Sequence, residues 1–133
     1  MKYAFDSDTI SYLLNKDSRA QYNFKNAVDN GDEYVIPPMV YYEVKRWLVI
    51  KNATAKLSAF IKLCRFTNQI VMSDACWEKA IEIYTLLTKK GSAIDDGDIF
   101  IAAYCLVNDY TLVTNNTSHF QRIDGLKIVN WKT

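Results

Sequence analysis

Short apolar runs of strand length alternate with longer helical stretches along this 133-residue sequence, which predicts an α/β fold with a mostly parallel sheet. Two further observations agree with that. Only four Gly and two Pro interrupt the pattern, and no repeat, low-complexity tract or linker divides it. Residues 1–133 are therefore expected to form a single domain, a length that closes one hydrophobic core.

The elements follow in order. Lys2–Phe5 reads as a strand that ends at Asp6-Ser7-Asp8. Thr9–Asn15 and Arg19–Asn30 have helical patterning, with Gly31 as a stop signal. Tyr34–Ile36 is the second strand. Pro37-Pro38 then opens a helix, because proline's fixed φ and missing N–H suit a first turn. This helix runs to about Ile50, and another spans Ala53–Thr67. Ile70–Met72 makes a third strand. Asp74 is placed to cap a helix that reaches Lys90 and stops at Gly91. Ile99–Val107 is almost wholly apolar and predicts a buried helix. Thr111–Thr114 and Lys127–Val129 supply two last strands, about five in all.

Composition narrows the function classes. No apolar run approaches the ~18 residues of a membrane span. Met1-Lys2-Tyr3-Ala4-Phe5-Asp6 lacks the zones of a signal peptide, so a cytoplasmic location is expected. Cys64, Cys76 and Cys105 are odd in number and form no Cys-x-x-Cys, which favours reduced core thiols over disulfides or zinc. Net charge is only +1, but its distribution is uneven. Six bases (Lys45, Arg46, Lys51, Lys56, Lys62, Arg65) and no acid lie between Val44 and Ser73, whereas acids outnumber bases eight to six from Ser73 onward. A basic stretch facing an acidic pocket suits RNA binding, with Lys45 and Arg46 as its candidate contacts; a solvated helix face is the competing reading.

The carboxylates carry the chemistry. Ligands of open α/β sheets bind beyond the carboxyl ends of the strands. Asp6 stands there on the first strand, and Asn115 and Asn116 stand there after Thr111–Thr114. Glu43 shares a helical stripe with Val40, Trp47 and Ile50, and Asp98 shares one with Ile101, Ala102 and Cys105. An ionised carboxylate on a core-facing stripe is expensive unless a cation or donor compensates it. Three from separate segments point to a shared cation, and hard oxygen ligands select Mg²⁺ or Mn²⁺ over zinc. Each acid also has a structural reading. Asp8 suits the cap of the helix beginning at Thr9, Asp95 or Asp96 the cap of the later helix, and Asp98 its first turn; Glu43 could pair with a base. Taken singly, Asp8, Asp95 and Asp96 read as structural. Asp6, Glu43 and Asp98 together read as metal ligands.

Several stretches together resemble the PIN domains of VapC-type toxins, the toxin half of bacterial VapBC toxin–antitoxin pairs. They are Phe5-Asp6-Ser7-Asp8-Thr9-Ile10-Ser11-Tyr12-Leu13-Leu14, Pro37-Pro38-Met39-Val40-Tyr41-Tyr42-Glu43-Val44, Asp98-Ile99-Phe100-Ile101-Ala102-Ala103 and Leu112-Val113-Thr114-Asn115-Asn116. The closing His119-Phe120-Gln121-Arg122-Ile123, Gly125-Leu126 and Asn130-Trp131 belong to the same pattern. The resemblance implies a three-layer α/β/α domain and a Mg²⁺-dependent endoribonuclease toxin with Asp6, Glu43 and Asp98 as its acidic core. It also implies a structured RNA substrate such as tRNA, and a small VapB-type antitoxin whose tail covers the site; a homodimer is expected. Two departures stand out. Many relatives carry Asn where Asp8 stands, and many PIN domains carry a fourth acid where Asn115-Asn116 stand. The lost acid puts a second metal in doubt, with Asp95 and Asp96 as its candidate replacements if their loop turns inward.

In this reading, a cation held by Asp6 and Asp98 activates water and neutralises charge on the phosphate. Glu43 either binds the metal or accepts the water's proton. His119 is the only histidine, which excludes a two-histidine ribonuclease and leaves it a packing or capping role near Phe120. Two rivals use the same residues differently. Asp6-Ser7-Asp8-Thr9-Ile10 resembles the opening of haloacid-dehalogenase phosphatases, but Asp96 and Asp98 precede a helix where that class needs a strand-end acid pair. A receiver-like metal-binding module would use Asp74 at a strand end, and no acid pair with a late Lys fits it. The absence of a Gly-rich phosphate loop argues against nucleotide-binding folds.

Overall fold

A computed structural model describes residues 1–65, 67 and 71–133. Four strands and seven helices alternate along them. β1 is Lys2–Phe5, β2 Glu33–Val35, β3 Thr111–Val113 and β4 Ile128–Val129. The helices are α1 (Ser7–Leu14), α2 (Ser18–Asp29), α3 (Pro38–Ile50), α4 (Thr54–Cys64), α5 (Asp74–Lys89), α6 (Asp96–Asn108) and α7 (Thr117–Phe120). Among the described residues, no helix is long and apolar enough to cross a membrane.

The sheet order is β2-β1-β3-β4, and every neighbouring pair is parallel. Ala4 of β1 is registered between Val35 and Leu112, and Phe5 lies opposite Val113. The chain winds from β1 outward to β2, then returns to lay β3 on the other side of β1. Strand order therefore reverses between β1 and β3, and a crevice opens beyond their carboxyl ends, where α/β sheets bind ligands.

Burial on both faces explains the apolar strands. Ala4, Phe5, Leu112 and Val113 are fully buried. Phe5 stacks on Tyr34 at 5.3 Å and meets Trp131 edge-on at 5.2 Å, with Phe24 of α2 completing the cluster. Asn23 of α2 donates to the Trp131 carbonyl at 2.8 Å, which ties the segment after β4 to that layer. α6 is the most buried helix, with Ile99 and every residue from Ile101 to Cys105 in the core, and it packs against α5. Cys76 and Cys105 are buried free thiols and Cys64 is a half-buried one, consistent with the reading of reduced cysteines.

Several expectations need correction. The expected strand at Ile70–Met72 falls partly outside the described residues at Ile70, and Val71 and Met72 lie in no strand. Asp8 does not cap α1: Asp6 does, accepting the Thr9 amide at 2.8 Å. Ser73, not Asp74, caps α5, through a hydrogen bond from the Cys76 amide. Asp74 is the first residue of α5 and ends no strand, which removes the basis of a receiver-like module. The stripe proposed for Glu43 is not core-facing, since Trp47 is 50% and Ile50 79% exposed; Val40, Val44 and Leu48 face the core instead. Pro38 at the start of α3, and Gly31 and Gly91 in left-handed conformations after α2 and α5, are as expected.

Candidate active site

Asp6 is placed by two elements at once. Its amide donates to Val113 O at 3.2 Å, which extends the β1–β3 ladder by one step. Its own carboxylate then turns the chain into α1 by capping Thr9, whose hydroxyl donates to Val113 O at 2.8 Å. The outcome is a carboxyl only 5% exposed at the reversal of strand order. Burial raises its pKa to about 6, although hydrogen bonds from Thr114 and Thr9 pull the other way, and the charge of Asp8 adds to the rise.

Asp98 enters from the first turn of α6, on the stripe of Ile101, Ala102 and Cys105 that the sequence indicated. It is half-buried, and burial raises its pKa; His119 opposes this, while the charges of Asp95 and Asp8 reinforce it. His119 Nδ1 lies 3.4 Å from Asp98 Oδ2 and 2.8 Å from the Asn116 side-chain nitrogen. With Nδ1 deprotonated, it accepts from the Asn116 amide and the second ring nitrogen carries the proton. His119 thus contacts the acid pocket, a correction to the expected packing or capping role.

Glu43, from α3, joins the two. Its Oε1 accepts the Ser7 hydroxyl at 3.2 Å, next to Asp6 in sequence. Its Oε2 lies against Gly97, next to Asp98, where an added Cβ would sit 3.5 Å away. Among the described residues, Glu43 forms no ion pair, so the alternative of a basic partner has no support. Asp8 is exposed, yet its charge reaches both Asp6 and Asp98. Asp95 occupies the N-cap position of α6 without a side-chain cap hydrogen bond, and Asp96 is exposed in its first turn. Asn116 reaches the pocket through His119, whereas Asn115 accepts from Asn130 at 3.0 Å on the exposed side.

The pocket therefore brings in acids that hydroxyls, one amide and His119 compensate only in part, rather than a closed ligand set. Among the described residues, no three His, Cys, Asp or Glu side chains form a group that would hold a metal as they stand. No Lys or Arg pairs with Asp6, Glu43 or Asp98 among those residues.

The basic stretch divides. Arg46 lines a cleft that Glu43 and Ser7 also line, and Lys56 joins it from α4. Lys45, one residue away and so turned about the helix, donates to the Tyr41 hydroxyl at 2.7 Å instead. Sequence reasoning missed the placements of His119, Thr114, Ser7 and Lys56. Only Thr114, at the end of an apolar strand, carried a usable positional signal.

Known proteins resemble this chain along nearly its whole length. Ribonuclease VapC2 of Rickettsia felis is 29% identical over 134 aligned residues, covering 98% of each chain. The crystal structure of VapBC2 from the same organism, bound to a DNA fragment from its promoter, superposes with a TM-score of 0.86 at 27% identity, covering 98% of this chain and 99% of that one. VapBC-1 of nontypeable Haemophilus influenzae shares the fold at a TM-score of 0.87 and 23% identity, over the full length of both chains. The sequence pattern of the PIN domain matches residues 3–126, from the strand that carries Asp6 to the turn before β4, and the chain is accordingly a member of the PIN domain family.

Proposed function

We propose that the chain, acting as one PIN unit in the cytoplasm, is an Mg²⁺-dependent endoribonuclease toxin, with Mn²⁺ as a substitute ion, and that a small antitoxin holds it in check. The observation that carries this reading is the electrostatics of Asp6 and Asp98. Both carboxyls resist ionisation because they are buried, both feel Asp8, and neither is paired with a Lys or Arg among the described residues, Asp98 having only His119 at 3.4 Å. Such a pocket is costly by itself and gains most from a hard, oxygen-seeking dication. The donor set fits one: all carboxylate oxygens, no thiolate, one histidine already engaged by Asn116.

Asp6 and Asp98 would hold the ion, with Glu43 as third ligand or as neighbour to it. Because the three do not form a closed ligand set as they stand, binding requires their carboxylates to draw together around the ion. When bound, the ion supplies charge neutralisation on the phosphate and lowers the pKa of the attacking water. The chain's own residues do the rest. Glu43, steadied by Ser7, accepts the proton of the attacking water through Oε2, which carries no hydrogen bond among the described residues. Asn116 holds His119 by donating to its Nδ1 at 2.8 Å, which leaves the ring beside Asp98, 3.4 Å from Oδ2. Attack by water leaves a 5′-phosphate and a 3′-hydroxyl. A structured RNA such as tRNA is the proposed substrate.

The partner reading rests on the same acids. The Rickettsia felis and Haemophilus influenzae neighbours are VapBC structures, and a pocket awaiting a cation also accepts an arginine guanidinium in bidentate fashion. A VapB-type antitoxin would present that group. Self-association into a homodimer is part of the proposal, supported by exposed Trp77, Ile81 and Tyr84 on one face of α5.

The test is incubation with total RNA in EDTA or Mg²⁺, followed by sequencing of the cut ends. Discrete cuts with 5′-phosphates should arise only with Mg²⁺. Glu43→Gln should slow cutting by about 10²–10⁴-fold, and Asp6→Ala or Asp98→Asn should abolish it. Undiminished cutting in EDTA, or by Asp98→Asn, contradicts the assignment. Expression alone should arrest growth, and co-expression of the antitoxin should relieve it.

A further inference from the structure

Beyond Glu43 lies a cleft that the hydrolysis described above does not use. It is a cavity of about 260 Å³ between α1, α3 and α4. Ser11 and Asn15 line it from α1, Arg46 and Trp47 from α3 and Lys56 from α4, with Glu43 at the end shared with the acid pocket.

Its chemistry is that of an anion site. Arg46 and Lys56 come from different helices, and among the described residues neither is paired with an acid. Arg46 is oriented by Tyr42, whose ring lies 4.9 Å below the guanidinium and whose hydroxyl is 3.5 Å from Nη1. Stacking on the ring face leaves the planar N–H edge open to a phosphate. The side chains of Ser11 and Asn15 make no hydrogen bond among the described residues, which leaves further donors. Trp47 adds an indole that lines the cleft and is 50% exposed; the Lys51 ammonium lies 5.4 Å from its ring centroid, and a base stacking on Trp47 takes the other face or displaces that ammonium. The cavity is below the ~300 Å³ at which drug-sized pockets begin, so it takes one nucleotide unit rather than a helix of RNA. Two cations that line the cleft without an acid partner among the described residues favour a polyanion.

We propose that this cleft is the subsite for the nucleotide adjoining the scissile bond: Arg46 and Lys56 take its phosphate, Trp47 stacks its base, and Glu43 marks the border with the cutting site. This rests on the nuclease reading and assigns it a substrate-positioning surface. Lys45, although adjacent to Arg46, is outside the cleft and has no part in it.

The test is fluorescence anisotropy of a short, labelled single-stranded RNA with the full chain in EDTA, at several salt concentrations. Arg46→Ala and Lys56→Ala should each weaken binding and flatten the log–log salt slope by about 0.7, the value for one lost phosphate contact on a single strand. Trp47→Ala should weaken binding by about five-fold or more with the slope unchanged, because stacking releases no counterion. Lys45→Ala should match the parent on both measures. All four positions are at least partly exposed, and melting curves would verify that the variants fold. If the parent binds but Arg46→Ala, Lys56→Ala and Trp47→Ala bind equally well, the subsite is wrong and the nuclease reading survives. If Lys45→Ala loses as much as Arg46→Ala, diffuse surface charge explains the binding and the subsite is wrong. A parent that neither binds nor cuts RNA overturns the nuclease reading, and the subsite with it.

Discussion

The carboxyl of Asp6 accepts the Thr9 amide hydrogen at 2.8 Å while lying 5% exposed with no cation paired to it among the described residues. Capping α1 favours its folded position, and burial opposes its charge. The two effects can be separated by Asp6→Asn, which keeps an oxygen for the cap and removes the charge. The folded pKa, about 6, is above the ordinary value of about 3.9 for an unfolded Asp. The folded state therefore binds the proton more tightly, so the carboxyl is tolerated below about pH 4 and destabilises progressively as pH rises through about 6. In EDTA, Asp6→Asn and parent should be similarly stable near the lower end of that window. The variant should then gain up to ~3 kcal/mol by neutral pH, the free energy equivalent of that pKa change. Denaturant unfolding at a series of pH values measures it. A stability difference that does not change with pH would show that Asp6 titrates as an ordinary carboxyl.

At the scale of elements, the errors of sequence reading have a common cause. Asp6-Ser7-Asp8 and Ser73-Asp74 each offer adjacent residues able to cap a helix, and local sequence does not choose between them. Tertiary structure does: the bond from Asp6 N to Val113 O keeps Asp6 extended, so the helix begins after it. Ser73→Ala should accordingly cost about 1 kcal/mol of stability. Asp74→Ala should change only the weaker dipole interaction at the first turn, about 0.3–1 kcal/mol. Equal losses in thermal unfolding would mean that the caps are shared. The stripe assigned to Glu43 failed for a related reason. α3 has apolar residues nearly all round, and Val40 starts two series of helical spacing, of which Val44 and Leu48 are buried. Asp6 and Asp98 were legible because a strand end and an unbroken buried helix fix their direction. His119 and Lys56 were not, because their positions depend on how α7 and α4 pack against distant elements. The four-residue α7 is too short to show a helical period.

Across the whole molecule, the reversal of strand order between β1 and β3 gathers acids from separate parts of the chain, and the aromatic layer beneath β1 supports the strand that presents Asp6. Trp131 contacts Tyr3 and Phe5 edge-on at 5.2 Å each and is 6% exposed. Trp131→Ala should therefore destabilise the fold by about 3–5 kcal/mol, seen as a lowered denaturant midpoint. A loss below about 1 kcal/mol would mean that the layer is not part of the cooperative core. If the acid pocket at the reversal point is built for a cation, a melting series with EDTA and with Mg²⁺ at neutral pH, for the parent and Asp98→Asn, will show it. Removing one of the crowded charges should raise the melting temperature in EDTA, because the pKa of Asp98 is raised by burial and by Asp95 and Asp8. Mg²⁺ should stabilise the parent by on the order of 2.7 kcal/mol at a hundredfold excess over its Kd, and Asp98→Asn far less. A variant that is less stable than the parent in EDTA, with both proteins gaining equally from Mg²⁺, would make Asp98 a helix-start residue and not a metal ligand.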